Sequence, residues 1–426
     1  MHPPSLSPVD AAAILIVIAA VLGYLNHRYL RLATSVGLTI MGAVASLMVV
    51  GIDRLLPASD LAEQVTAFLA GIDFHTTLME GMLSFLLFAG ALHVDWTEMR
   101  RGRWPILVLS TIGVLLSTLI VGGGFWALTQ ALDLAVPPLW CFVFGALISP
   151  TDPVAVMGVL KRAAVPPTLQ ATVAGESLFN DGVGVVVFSI LLAAAIGAEP
   201  FSLGHAAEAF LIEAVGGVFL GLVIGWVGFR AMRSIDEYNV ELLISLAIVM
   251  GGYRFAQWLH VSGPVAMAVA GLLIGNAGVA LAMSDTTRDH VLKFWALVDE
   301  LLNAILFLLI GLEVIVISPD PRLLVAGAAA IPLVLAARAF AVGAPLFAMR
   351  PIASLGRIAL PTLLWGGLRG GISIALALSL PEGPARTVIL AVTYVIVLFS
   401  VIVQGGTIDR VVRRLSRARD GEPMES

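Results

Sequence analysis

Glu176, Ser177, Asn180 and Asp181 stand within a few residues of one another inside an apolar run, 168–197, that reads as a membrane-spanning helix. An ionisable side chain in hydrocarbon costs from about 3 to more than 10 kcal/mol. Two carboxylates in one span therefore need a reason. Residues four apart share a helix face, so Glu176 sits under Asn180 and Ser177 under Asp181. The four groups converge on one stripe. Such a stripe can face an ion and a proton, or it can face a buried basic partner. The neutral oxygens of Asn180 and Ser177 beside a carboxylate are ligands that hard cations prefer.

Other polar groups in apolar runs extend this set. In Ser149-Pro150-Thr151-Asp152-Pro153 two prolines remove backbone donors and disfavour helix in the residues before them. Thr151 and Asp152 are expected on an unwound stretch whose free carbonyls could bind a cation. The alternative is a simple proline kink, which does not require Asp152. Arg338 and Arg369 are intramembrane arginines, and either could neutralise Glu176. Glu80 is a further carboxylate, either an ion ligand or a group snorkelling from near the start of its span. Asp299, Glu300 and Asn303 form a similar cluster, for which bonding to the unwound helix is expected.

The elements that hold these residues are helices in a bilayer. Hydrophobic residues make up 59% of the chain and charged residues only 12%, with a mean hydropathy of +0.99. A soluble domain carries about 25% charged residues. At about 20 residues per crossing, the apolar runs read as about thirteen spans: 10–27, 32–51, 74–94, 104–131, 138–160, 168–197, 206–229, 239–258, 263–283, 291–317, 323–348, 357–380 and 386–405. The stretch 54–72, with Asp60 and Glu63, is expected to be re-entrant or interfacial. Arg28 and Arg31 follow the first apolar run and no basic segment precedes it, which suits a retained span rather than a cleaved leader.

Lys and Arg gather in alternate loops, after spans one, three, five, seven, nine and eleven, and in the tail from Arg410 to Arg419. The positive-inside bias then sets the N-terminus outside and the C-terminus in the cytoplasm. The expected organisation is one transmembrane domain over 1–405, with inverted repeats at about 10–197 and 239–405, a linker helix at 206–229, and a short basic tail, 406–426. Spans five and twelve, corresponding members of the two repeats, are both interrupted, the second by Gly366-Gly367-Leu368-Arg369-Gly370-Gly371. Paired interruptions point to a transport site. The single cysteine, Cys141, reads as an inert core residue.

Several function classes lose support. The sequence has no phosphate loop for ATP drive, no hydrolase elbow or zinc-protease motif, and no potassium-filter sequence. An enzyme, a cofactor and a nucleic-acid partner are not expected.

With these motifs in view, the chain resembles a sodium/proton antiporter of the cation:proton antiporter-1 family, which holds the NhaP-type exchangers. The carriers are Phe85-Leu86-Leu87-Phe88-Ala89-Gly90-Ala91-Leu92-His93, Ser149-Pro150-Thr151-Asp152-Pro153-Val154-Ala155-Val156, Glu176-Ser177-Leu178-Phe179-Asn180-Asp181-Gly182 and Gly366-Gly367-Leu368-Arg369-Gly370-Gly371. The resemblance implies that Asp181 carries Na+ and H+ alternately, with Thr151 and Ser177 as further Na+ ligands. Asn180 matches the Asn-Asp pair of the electroneutral branch. Glu176 would pair with Arg338 as a structural bridge. Asp152, Arg369 and Glu300 would compensate charge where broken helices cross, and Glu80 would match an ion ligand of some archaeal members. It also implies a homodimer with a scaffold and a moving six-helix core. Since the chain stops about twenty residues after its last span, regulation by a large domain in cis is not expected.

The function expected is exchange of Na+, and of Li+, for H+ across the cell membrane, one for one, by an elevator-type alternating-access motion. K+/H+ exchange on the same scaffold is the alternative, because ion choice depends on cavity size and ligand number. A cation channel is the rival from a different class.

Overall fold

The computed structural model describes residues 8–55, 65–66, 68, 77–163, 165–197, 202–316, 320–349 and 358–420. Among them the protein is all-helical, and their one extended pairing is an antiparallel bridge between Asp152 and Leu368. This follows from the apolar composition, since backbone groups in lipid must be satisfied within the segment. Nine helices among the described residues are long and apolar enough to cross a membrane, and the chain is a multi-pass membrane protein. Where a third span was expected the structure has a short piece, Thr77–Leu92. Where the tenth span was expected over 291–317, the structure has a helix over Asp285–Leu312 that opens with Asp285, Arg288, Asp289 and Lys293. The doubtful stretch 54–72 lies largely outside the described residues.

We number the helices α1 (Pro8–Leu25), α2 (Thr34–Leu55), α3 (Leu83–Leu92), α4 (Trp96–Arg101) and α5 (Val114–Ala131). Next come α6 (Pro138–Leu147), α7 (Val154–Arg162), α8 (Pro167–Ala195), α9 (Leu203–Arg233), α10 (Tyr238–Trp258), α11 (Gly263–Leu273) and α12 (Asp285–Leu312). Further along come α13 (Pro321–Ala348), α14 (Ala359–Trp365), α15 (Gly371–Leu378), α16 (Pro384–Phe399) and α17 (Gly406–Asp420), and the short helices Arg103–Val108 and Val279–Leu281 are left unnumbered. The expected spans five and twelve are therefore each two short helices: α6 and α7 flank Ile148–Pro153, and α14 and α15 flank Gly366–Gly370.

Two packed groups surround this interruption. In one, α3, α9, α10, α11 and α12 bury Phe88, Leu220, Tyr253, Met267 and Trp295 together. In the other, α5, α6, α8, α13, α15 and α16 share a larger core that includes Phe125, Phe144, Phe188 and Tyr394, and faces of α3, α11 and α12 also pack into it. Close approach, rather than the hydrophobic effect, holds helices together in lipid. At the α2–α12 contact a Cβ on Gly311 would fall 2.5 Å from the Thr39 carbonyl oxygen. The same seam carries hydrogen bonds from Thr39 Oγ1 to Phe307 O at 3.1 Å and from Ser46 Oγ to Leu312 O at 2.5 Å. α17 folds back so that Ile408 and Val412 are buried against α7 and α14.

Candidate functional site

The two interrupted segments cross in the middle of the helical bundle. Asp152 N donates to Leu368 O at 2.8 Å, which joins them through the backbone. The approach is so close that a Cβ on Gly370 would lie 2.8 Å from the Asp152 carboxylate. Only glycine fits there. The crossing brings four helix ends together, and each end carries a partial charge of roughly half an electron. Asp152 Oδ1 accepts from Val154 N at 2.9 Å, at the start of α7, while its carboxylate rests against Gly370, the N-cap of α15. Arg369 serves the opposite ends. Its guanidinium donates to Ser149 O and, at 3.1 Å, to Pro150 O, just past the C-terminus of α6. Its backbone N–H donates to Ser400 Oγ at 2.8 Å. Negative charge thus meets helix N-termini and positive charge meets freed carbonyls.

α8 runs beside the crossing and supplies the acidic stripe. Glu176 faces Arg338 of α13, with Nη1 donating to Oε1 at 2.5 Å and Nη2 to Oε2 at 2.8 Å. Arg338 also donates to Leu363 O, from Nη2 at 3.0 Å and Nε at 3.3 Å, and so ties α14 to the pair. Both side chains are buried. The bidentate geometry satisfies most of the donors that burial would otherwise penalise. Burial alone left two arginines open for Glu176 and the family resemblance implied Arg338; in the structure Glu176 pairs with Arg338.

Asn180 is a bracket between the stripe and the unwound segment. Its Nδ2 donates to Thr151 Oγ1 at 2.7 Å and to Glu176 Oε1 at 3.3 Å, and its Oδ1 accepts from Thr151 N at 3.3 Å. Thr151 Oγ1 also lies 3.0 Å from Ser177 Oγ. These bonds turn Asn180 and Ser177 toward Thr151, and neither residue is on the wall of the cavity described next. In this structure they hold Thr151 in place rather than facing an ion directly.

Asp181 is different. It is 6% exposed, and its Oδ1 has no hydrogen-bond partner among the described residues. It lines a cavity of about 460 Å³, together with Thr151 and Asp152. The same cavity is lined by Asp299 and Asn303, and by His93, Glu98, Lys161 and Gln170 nearer the surface. A carboxylate at the inner end of such a cavity can be neutralised by a proton or by a cation delivered along it.

Two expected site residues stand apart. Glu300 does not join the crossing: it is exposed, and it is absent from the cavity wall, which its neighbour Asp299 lines. The reason is helix phase, because consecutive residues differ by about 100° around the axis. Glu80 lies in the π-helical turn Thr77–Met82, and its side chain falls outside the described residues. Sequence reasoning missed His93 as a wall residue and Ser400 as the partner of the Arg369 backbone. Neither carries a local signal, since only the tertiary packing brings them to the site.

Comparison with known proteins places this geometry. The family described as sodium/hydrogen exchanger, transmembrane, matches residues 16–414. The Na(+)/H(+) antiporter NhaP of Pseudomonas aeruginosa is 45% identical over 423 residues, covering 98% of each chain. The Na(+)/H(+) antiporter NhaH of Halobacillus aidingensis is 34% identical, over 88% of this chain and 92% of its own. Among solved structures, the sodium proton antiporter MjNhaP1 from Methanocaldococcus jannaschii superposes with a TM-score of 0.71, covering 96% of this chain and 98% of that one at 20% identity. It shares the fold. The relatives are transporters rather than enzymes. The chain belongs to the sodium/hydrogen exchanger family, in its NhaP-type branch.

Proposed function

We propose that this protein exchanges Na+ for H+ across the membrane, with Asp181 binding one or the other. The observation that carries the proposal is the unpartnered Asp181 Oδ1, buried at the inner end of a cavity and beside a crossing of broken helices. The charges around it are already matched: Glu176 with Arg338, Arg369 with two carbonyls, Asp152 with the N–H of Val154. Among the described carboxylates at the crossing, Asp181 is the one left to be neutralised by cargo. Thr151, on the same wall, offers a neutral oxygen to a hard cation.

Competition for one carboxylate gives obligatory exchange. If one Na+ replaces one H+, the loaded site has the same charge in both directions, and transport is electroneutral. Li+, another hard cation, is accepted by the same oxygens. The group holding the crossing and α8 moves against the other packed group to expose the site alternately, in an elevator-type cycle. The far end of the cavity, at Glu98, Lys161 and Gln170, lies on the side of the Lys- and Arg-rich loops. With the N-terminus outside and the C-terminus in the cytoplasm, this is the inward-open state. The working unit is a homodimer in the cell membrane. The domain 1–405 is built as inverted repeats at about 10–197 and 239–405, joined by 206–229.

The test is reconstitution in liposomes with a lumenal pH dye and imposed Na+, Li+ and K+ gradients. Proton movement driven by Na+ and Li+ is the expected result. A response to K+ alone would change the cargo and keep the mechanism. Cation conductance without proton counterflow would replace the antiporter reading with a channel.

A further inference from the structure

We infer that Asp299 and Asn303 form a second cation station on the wall of the access cavity, between the mouth and Asp181. The inference rests on the antiporter reading above and adds a step to it. α12 turns one stripe to the cavity, formed by Ala296, Asp299, Asn303 and Leu306. Two of these four carry oxygens, and they sit one helical turn apart, so both project to the same place. Asn303 is 6% exposed. Its Nδ2 donates to Asp299 O at 2.9 Å and to Asp299 Oδ1 at 3.1 Å. That donor pair fixes the orientation of the amide. It leaves Asn303 Oδ1 and Asp299 Oδ2 without a hydrogen-bond partner among the described residues, on residues that both line the cavity.

An amide oxygen on a largely buried residue of the cavity wall, beside a carboxylate that the same amide's N–H₂ holds still, is a ligand set for a hard monovalent cation. Water in the cavity completes the coordination. The surroundings favour occupancy by a cation in transit rather than a permanent ion. His93, just past the end of α3, stands on the same wall, as does Asp152 of the crossing. A cation held there would be concentrated by the acidic wall and would lose part of its water before it reaches Asp181. The competing explanation is that Asp299 only fixes Asn303 for packing.

Initial rates of Na+-driven proton movement in proteoliposomes, measured against Na+ concentration, separate the two. Asp299→Asn and Asn303→Ala are each expected to raise the KM for Na+ about tenfold, equivalent to about 1.4 kcal/mol of lost binding, with Vmax within about twofold of wild type. Loss of binding without loss of turnover is the signature of a site off the reacting carboxylate. Asp299→Glu, which keeps the charge, is expected to restore most of the affinity. The neutral Asn303→Ala substitution distinguishes ligation from a simple field effect, because removing a charge-free oxygen leaves the field almost unchanged. The inference is overturned if both variants keep the wild-type KM, or if Vmax collapses at unchanged KM. No exchange by wild type with any cation would instead remove the reading it rests on.

Discussion

At the residue scale, exchange turns on which carboxylates already have partners. Glu176 has one, bidentate and buried. Replacing Arg338 with leucine would strand that charge, so Arg338→Leu is expected to cost about 3–5 kcal/mol and to lower thermal stability sharply in detergent. An unchanged melting temperature would show that the pair does not hold the fold. Asp181 has no partner on Oδ1, so Asp181→Asn is expected to abolish exchange while melting within a few degrees of wild type. Asn180 yields a sharper test. Its Nδ2 donates to both Thr151 and Glu176, and an aspartate there would set acceptor against acceptor. Asn180→Asp is expected to destabilise by about 1–3 kcal/mol, and adding Glu176→Gln should recover part of the loss. If the single variant melts like wild type, the bracket role is wrong.

At the scale of elements the crossing is the device that makes a polar site tolerable in a membrane. It depends on glycine at position 370, where any Cβ would meet the Asp152 carboxylate at 2.8 Å. Gly370→Ala is expected to slow transport at least tenfold or to destabilise the bundle, read as turnover and melting temperature on the same preparation. Much of this was legible from sequence. Pro150, Pro153 and the run of glycines around Arg369 announced both interruptions, because each removes helical hydrogen bonds or backbone restraint. The all-helical fold followed from hydropathy alone. What escaped was the phase of individual side chains. Ser177 and Asn180 share the stripe of Asp181, yet their bonds turn them toward Thr151 and away from the cavity. Asp299 and Glu300 are chain neighbours of similar chemistry, and only the packing of α12 puts the first on the wall and the second on the exposed surface. Periodicity groups residues by face and says nothing of what each face meets.

At the scale of the whole molecule the cavity has a direction. It runs from Asp181 to Gln170 near the start of α8, and the proposed orientation puts that end in the cytoplasm. Cys141 is buried, so a cysteine introduced as Gln170→Cys is expected to react with a membrane-impermeant maleimide from the cytoplasmic side alone. Labelling from the outside would invert the topology. The same scale carries the electroneutrality proposal. Exchange rates in proteoliposomes are expected to be unaffected by an imposed valinomycin potential, and a clear dependence would require more than one proton per Na+.

The most direct measurement of the central claim is the number of protons released when Na+ binds to purified protein in weakly buffered detergent. If Asp181 holds either ion and never both, wild type should release about one proton per Na+ bound at a pH where the site starts protonated. Asp181→Asn should release none. Na+ binding without proton release, or release that survives in Asp181→Asn, would contradict the account.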